Sequence, residues 1–231
     1  MFEPGQIISY DELAAEEGSR LQAGMNFRCK PFGRTILLSS LRPNAPYRDA
    51  ELDGGKIVLY EGHDLRSDFS SSDPKRENQP MSFPGGSLTQ NGLFYQAAHD
   101  YKEGRAPAEI VRLYEKLKPG IWEFNGLFDL VDAWTESDGT RIVFKFKLVF
   151  KEEQVGSSQL LELQHSRMIP ASVKLEVWKR DDGKCQKCGS TVNLHFDHII
   201  PYSMGGTSLT AQNIQLLCAK HNLEKRARLD G

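Results

Sequence analysis

Two short pairs of metal-ligating residues frame the chemistry of this chain. Cys185-Gln-Lys-Cys188 is followed, thirty residues on, by Cys218-Ala-Lys-His221. Each pair suits a tight turn or a helix start. Together they can close a tetrahedron around zinc with no open position, which makes the ion structural. Between the pairs lie His195-Phe-Asp197-His198-Ile-Ile-Pro201, then Gly205-Gly206, then Asn213, and Asn222 follows the second pair. The Asp197 carboxylate and the Asn222 amide oxygen are hard ligands suited to Mg²⁺ or Mn²⁺. Histidine ordinarily changes charge near neutrality, so His198 is of the residue type that can act as a general base on water. A divalent ion beside it would stabilise a pentacovalent phosphate and a leaving 3′-oxygen. Lys220, Lys225, Arg226 and Arg228 supply cations for a phosphate backbone.

The elements that must position these residues are readable from pattern. Residues 192–200 read as a strand with His195 and Asp197 on one face. A glycine-bearing loop returns the chain, and a basic helix covers about 219–228. The result is a hairpin followed by a helix, braced at its ends by zinc. A helix starting at Pro170 and stopping near Asp182-Gly183 precedes it. The polar stretch 152–168 reads as a linker, which divides the chain into 1–151, 152–168 and 169–231.

The first 150 residues read as mostly β. Ser9-Tyr-Asp-Glu12 fits a capping box for a short helix ending near Gly18. Thr35–Leu38 and Lys56–Tyr60 read as strands, and 42–55 as a loop. A helix capped at Asn91 or Gly92 presents Leu93, Phe94, Ala97, Ala98 and Tyr101. Residues 110–117 fit either helix or strand. Trp122–Trp134 reads as two strands around an Asn125-Gly126 turn. In Arg141–Phe150 the even positions are apolar, with Arg141, Lys145 and Lys147 on the opposite face. The fold class expected is α+β: a curled β-rich domain, then a small zinc-braced module.

Composition narrows the function classes. The 231 residues carry 29 Lys and Arg against 31 Asp and Glu, a net charge of −2, which taken alone argues against a nucleic-acid partner. The distribution reverses that. Residues 1–164 balance at −6 and residues 165–231 at +4, so the basic excess coincides with the metal-ligand frame. No run approaches the length of a membrane span, so no membrane partner is expected. The start of the chain does not read as a signal peptide. Three of the four cysteines cluster with histidine, which favours metal over disulfides and a cytoplasmic location.

On these residues, Cys185–Lys225 resembles the HNH endonucleases of the ββα-metal class. That family runs C-x2-C, a DH-x-x-P block, a GG turn, an N-x-x-x-L-C stretch, then C-x2-C followed by Asn or His. The resemblance implies that His198 activates water and that Asp197 and Asn222 hold the catalytic divalent ion. It also implies that Asn213 orients the base through a loop contact. His195 stands where some members carry another His or Asp. His221 replaces the second cysteine of the closing pair, a conservative exchange of zinc ligand.

A second resemblance covers about 105 residues of the N-terminal part. It rests on Tyr47-Arg-Asp49, Lys56-Ile-Val-Leu-Tyr60-Glu61-Gly62-His-Asp64, Asn78-Gln79-Pro80, Thr89-Gln-Asn91-Gly-Leu-Phe94, Tyr114, Asn125-Gly126-Leu127-Phe128 and Val143–Phe150. Their order is similar to that of the SRA (SET- and RING-associated) domain of the PUA-like fold. Asn125-Gly126 stands for the YDG element, Asn78-Gln79 for DQ, and His63-Asp64 for a glycine pair. SRA domains flip a modified cytosine into an aromatic pocket. The resemblance implies Tyr47 and Tyr60 as the stacking pair, with Asp49, or nearby Glu51, accepting from the cytosine amino group. Glu61 takes a base-edge position where the family often has Thr. Arg42, Arg48, Lys56, Arg66, Lys75 and Arg76 lie in or near the binding loops, and the loop 65–92 is expected to reach the grooves.

The expectation is an endonuclease acting on double-stranded DNA that carries 5-methylcytosine or 5-hydroxymethylcytosine. One such site cuts one strand, which makes a homodimer an expectation. The competing readings are an HNH nuclease directed to unmodified DNA or DNA shape, and a non-catalytic reader with a degenerate nuclease.

Overall fold

The computed structural model describes residues 2–41, 45, 47–64, 73–151, 169–201 and 204–229, with side chains to Lys225. The stretch 152–168 expected as a linker, Arg42 and Arg66 lie outside the described residues, as does part of the stretch 65–92 expected as a loop. The architecture is mixed α+β. Strands β1 (Gln6–Ser9), β2 (Met25–Cys29), β3 (Arg34–Ser39), β4 (Ala50–Leu52), β5 (Ile57–Glu61), β6 (Glu109–Lys118), β7 (Ile121–Ser137), β8 (Ile142–Phe150), β9 (Leu194–His198) and β10 (Ile214–Cys218) form one ten-stranded sheet. Its main path runs β10-β9-β1-β7-β6-β3-β2, with β8 joining β7 to β5 and β4. Only β3 with β6 is parallel among the described pairs.

The capping box forms as expected. Ser9 caps α1 (Tyr10–Glu17), Glu12 reaches back to the Ser9 N–H, and Gly18 ends the helix. Thr89, rather than Asn91 or Gly92, caps α2 (Gln90–Lys102) by accepting from the Gly92 N–H. Phe94 and Ala98 of α2 are fully buried against the sheet. They join Met25, Val58, Phe128, Phe146 and Leu148 in the first core cluster. A second cluster gathers Leu13 under Ile8, Ile36, Tyr114 and Trp122.

One open sequence reading is resolved and two change. Residues 110–117 belong to β6, and part of the 42–55 stretch forms β4, paired to β5. The expected Asn125-Gly126 turn is absent, because β7 continues through it for 17 residues. Asn125 instead sits at a bulge, where the β6 register jumps from Leu113↔Gly126 to Tyr114↔Phe124. Its amide is buried between Glu115 and Lys174, so tertiary polar contacts override the turn preference. Arg141 and Lys145 are buried, paired with Asp64 at 2.6 Å and Glu61 at 3.0 Å.

The C-terminal part attaches through sheet, core and charge. Gln6 of β1 pairs with Phe124 on one side and with His195 of β9 on the other. Helix α3 (Ala171–Arg180) lays Val173 and Val177 into a third cluster with Leu194, Phe196, Ile214, Leu216 and Leu217, shared with Ile7 and Leu117. Lys174, 3% exposed, meets Glu115 at 3.2 Å and Glu123 at 3.0 Å. Glu51, weighed above as a base-edge acid, instead accepts from the N–H of Ala171 at the start of α3. Helix α4 (Ala219–Leu229) closes the chain.

Candidate functional site

The four ligand atoms of Cys185, Cys188, Cys218 and His221 lie within 4.8 Å of one another. His221 Nδ1 is 3.4 Å from the Cys185 sulfur and 3.3 Å from the Cys218 sulfur, and Cys188 and Cys218 are 3.9 Å apart. Tetrahedral zinc, with bonds of about 2.3 Å to sulfur and about 2.0 Å to nitrogen, needs ligand spacings of roughly 3.5–3.8 Å. The cluster can therefore hold a metal ion such as zinc. Burial works against a charged Cys185 thiolate, but nearby N–H groups, led by Cys218 and Lys187, bring the thiol down to about 6. The N–H-lined turn favours the thiolate that a metal needs.

This cluster ties the start of α4 to the base of the β9–β10 hairpin. The other end of the hairpin carries Asp197 and His198, both half-buried. Cross-strand register sets Gln215 opposite Asp197, and its amide donates to Asp197 Oδ2 at 3.0 Å. Lys225 of α4 places its ammonium 2.5 Å from the same oxygen and also contacts the His198 carbonyl. His198 Nε2 shares a 2.7 Å hydrogen bond with the hydroxyl of Ser208, which is buried. Asn213 clamps the loop after His198. Its Oδ1 accepts from the Ile200 N–H at 2.8 Å, and its Nδ2 donates to the carbonyls of Ile200 and Thr207. Gly206 permits this clamp, since a Cβ there would stand 1.9 Å from the Ile200 carbonyl oxygen. Arg180, at the end of α3, fixes the start of β10 by donating to the carbonyls of Ala211 and Ile214.

His195 is half-buried on β9, in register with Gln6 and Leu217. Asn222 is half-buried in the first turn of α4, one turn before Lys225. Lys220 is exposed and 4.0 Å from Glu224. The side chains of Arg226 and Arg228 lie outside the described residues. The donor set at Asp197, a carboxylate beside a main-chain carbonyl with the Asn222 amide on the adjacent helix, is hard oxygen chemistry suited to a divalent cation. The position already accommodates a positive charge, that of Lys225.

A cavity of about 450 Å³ opens in the N-terminal part. Tyr47, Asp49, Tyr60, His63, Ser39 and Trp122 are among the residues that line it. Asp49 accepts from Ser39 Oγ and from the Glu61 N–H, both at 2.9 Å. Burial pushes its carboxyl up to about 6, against these hydrogen bonds. Glu61 does not line the cavity. The strand's period of two puts it on the face opposite Tyr60, where it pairs with Lys145 and receives the Arg48 N–H. Ser208, Gln215 and His63 are contacts that the sequence reading did not assign. Only the register of β9 with β10 would have pointed to Gln215.

No curated protein matches the chain. Solved structures similar to it include the SRA domain of SUVH5 in complex with hemi-methylated CG DNA. That likeness has 22% identity and a TM-score of 0.47, and it covers 66% of this chain and 91% of that one. The modification-dependent TagI restriction endonuclease is similar at 19% identity and a TM-score of 0.41, over 96% of this chain and 76% of that one. SUVH6 of Arabidopsis thaliana is similar at 19% identity and a TM-score of 0.42, over 72% of this chain and 29% of that one. Residues 185–228 match the HNH endonuclease family model, and that stretch contains the whole Cys3His cluster together with Asp197, His198, Asn213, Asn222 and Lys225.

Proposed function

We propose that the chain is a modification-dependent DNA endonuclease. Residues 1–151 bind duplex DNA and take a flipped 5-methylcytosine or 5-hydroxymethylcytosine into the cavity at Asp49. Residues 169–231 hydrolyse a nearby phosphodiester. One observation carries the catalytic half: within the HNH-matching segment, a histidine held by Ser208 adjoins a carboxylate held by Gln215 and Lys225. The motif order and the Asp49-lined cavity support the reading half.

His198, fixed through Nε2 by Ser208, takes a proton from the attacking water. Asn213 holds the following loop so that the imidazole keeps its aim. Asp197 and Asn222 would hold Mg²⁺ or Mn²⁺, which supplies charge stabilisation to the phosphate and the leaving 3′-oxygen. Lys225 then turns from Asp197 toward the DNA backbone, joined by Lys220, Arg226 and Arg228. His195 adjoins from the same strand. The Cys3His cluster would hold zinc, which would brace helix and hairpin together. Two copies of the chain would cut both strands, and cysteines kept reduced as metal-binding thiolates suit action in the cytoplasm.

The test is His198→Ala in the full chain, read by Mg²⁺-dependent cleavage and by binding of a methylated duplex. Loss of a general base lowers the cleavage rate by about 10²–10⁴-fold, with binding retained. Undiminished cleavage would refute the catalytic assignment.

A further inference from the structure

The aromatic seat assigned to Tyr47 and Tyr60 is already filled. The imidazole of His63 lies face to face with Tyr47, with ring centres 4.5 Å apart and planes 8° from parallel. Its Nε2 shares a 2.9 Å hydrogen bond with the Tyr60 hydroxyl, and the two rings are 5.9 Å apart and 23° from parallel. The Lys75 ammonium stands 3.9 Å from the centre of the Tyr47 ring. A ring stacked at 4.5 Å leaves no room on its own face, so the ammonium covers the other. Asp64 holds that ammonium at 2.9 Å. Tyr60 is 1% exposed. Neither tyrosine offers a base an open face.

The surroundings fit a ring that is seated but not locked. His63 lies over Gly24, where a Cβ would fall 1.6 Å from the imidazole Cε1. Asn91 clamps the His63 main chain from both sides, accepting from its N–H and donating to its carbonyl, each at 2.8 Å. Only stacking and one described hydrogen bond, that to Tyr60, hold the ring itself. Burial pushes the imidazole down to about 4, so it is neutral and can leave without breaking an ion pair. The cavity beside it gives an incoming base a way in.

We propose that His63 occupies the stacking seat of the DNA-free protein, and that a flipped base displaces its ring. The base takes over the face of Tyr47 and the hydroxyl of Tyr60. This rests on the base-flipping reading above. The imidazole imitates the ligand, being planar, aromatic and hydrogen-bonded at its edge. It keeps the seat closed to water and to stray apolar groups. Only a base able to replace both contacts opens it, and DNA bound without flipping leaves it in place. Its displacement therefore weakens the flipped complex alone.

The test uses the full chain with ¹³C-labelled histidine, titrated with a duplex containing one 5-methylcytosine and with the same duplex unmodified. The His63 Cε1–H signal, assigned by its loss in His63→Ala or His63→Gln, starts upfield under the Tyr47 ring current. It should move to the position of an exposed histidine as the methylated duplex saturates, and stay in place with the plain one. His63→Ala should tighten methylated-duplex binding by roughly 2–12-fold, the equivalent of one aromatic stack, and leave plain-duplex binding unchanged. Preferential binding of the methylated duplex with an unmoved His63 signal overturns the displacement and spares the reader. Equal binding of the two duplexes sinks both.

Discussion

Asp49 lines the N-terminal cavity with a carboxyl whose burial carries a cost to folding at neutral pH. Its carboxyl is pushed up to about 6 by burial. As a carboxylate it can accept from a cytosine amino group; once protonated it loses that capacity. Affinity for a modified duplex should therefore fall as pH drops through about 6, and Asp49→Asn should bind more weakly with a flatter pH profile. Fluorescence anisotropy between pH 5 and 8 would check this, and a flat wild-type profile would count against Asp49. The folding contribution has the opposite sign. A raised folded-state value stabilises fully below the ordinary carboxyl range and is lost as pH rises through about 6. At this scale the grouping of Cys185, Cys188, Cys218 and His221 was legible, because their spacing is local. The Ser208 and Gln215 contacts were not, since each depends on how the hairpin closes.

The hairpin and its flanking helices form the next level. Asn213 satisfies one N–H and two carbonyls of the loop between β9 and β10. Asn213→Ala strands those groups and should cost about 1–3 kcal/mol, read by urea denaturation, with cleavage falling as well. The Cys3His cluster does comparable work for α4. The first core cluster contains no residue of the C-terminal part. The 185–228 segment, however, shares a core cluster with Ile7 and Leu117 and pairs β9 with β1, so chelation should loosen α4 and lower the unfolding transition of the whole chain. A single unshifted melt after chelation would show that the metal contributes no structure. Element types in the long periodic stretches were readable from sequence: α1 with its capping box, α4, and the β8 strand. The β7 bulge was not, because Asn125-Gly126 carries a strong turn signal. Its real partners, Glu115 and Lys174, come from 10 and 49 residues away.

Across the molecule, Lys174 of α3 joins the C-terminal part to β4, β6 and β7 in one charge cluster. Burial works against its ammonium, but Glu123, Glu115 and Glu51 outweigh that and hold it above its ordinary value. Burial also pushes the Glu123 carboxyl up to about 7, despite Lys174. Lys174→Met leaves the carboxylates unpaired and should destabilise by about 3–5 kcal/mol. The wild type should lose stability as pH rises through about 7, and Glu123→Gln should soften that loss. Urea melts at pH 5.5 to 8 would check both. No sequence pattern marks this cluster, because it brings Glu51, Glu115, Glu123 and Lys174 together only on folding. The charge asymmetry, by contrast, did point to the segment that matches the HNH endonuclease family model.

The coupling of a base-reading cavity to an HNH centre is the central claim. Its most direct measurement is Mg²⁺-dependent cleavage by the full chain of three duplexes of one sequence, carrying cytosine, 5-methylcytosine or 5-hydroxymethylcytosine at one position. Cleavage of one or both modified duplexes and little of the plain one is the expected result. Equal rates on all three would contradict it.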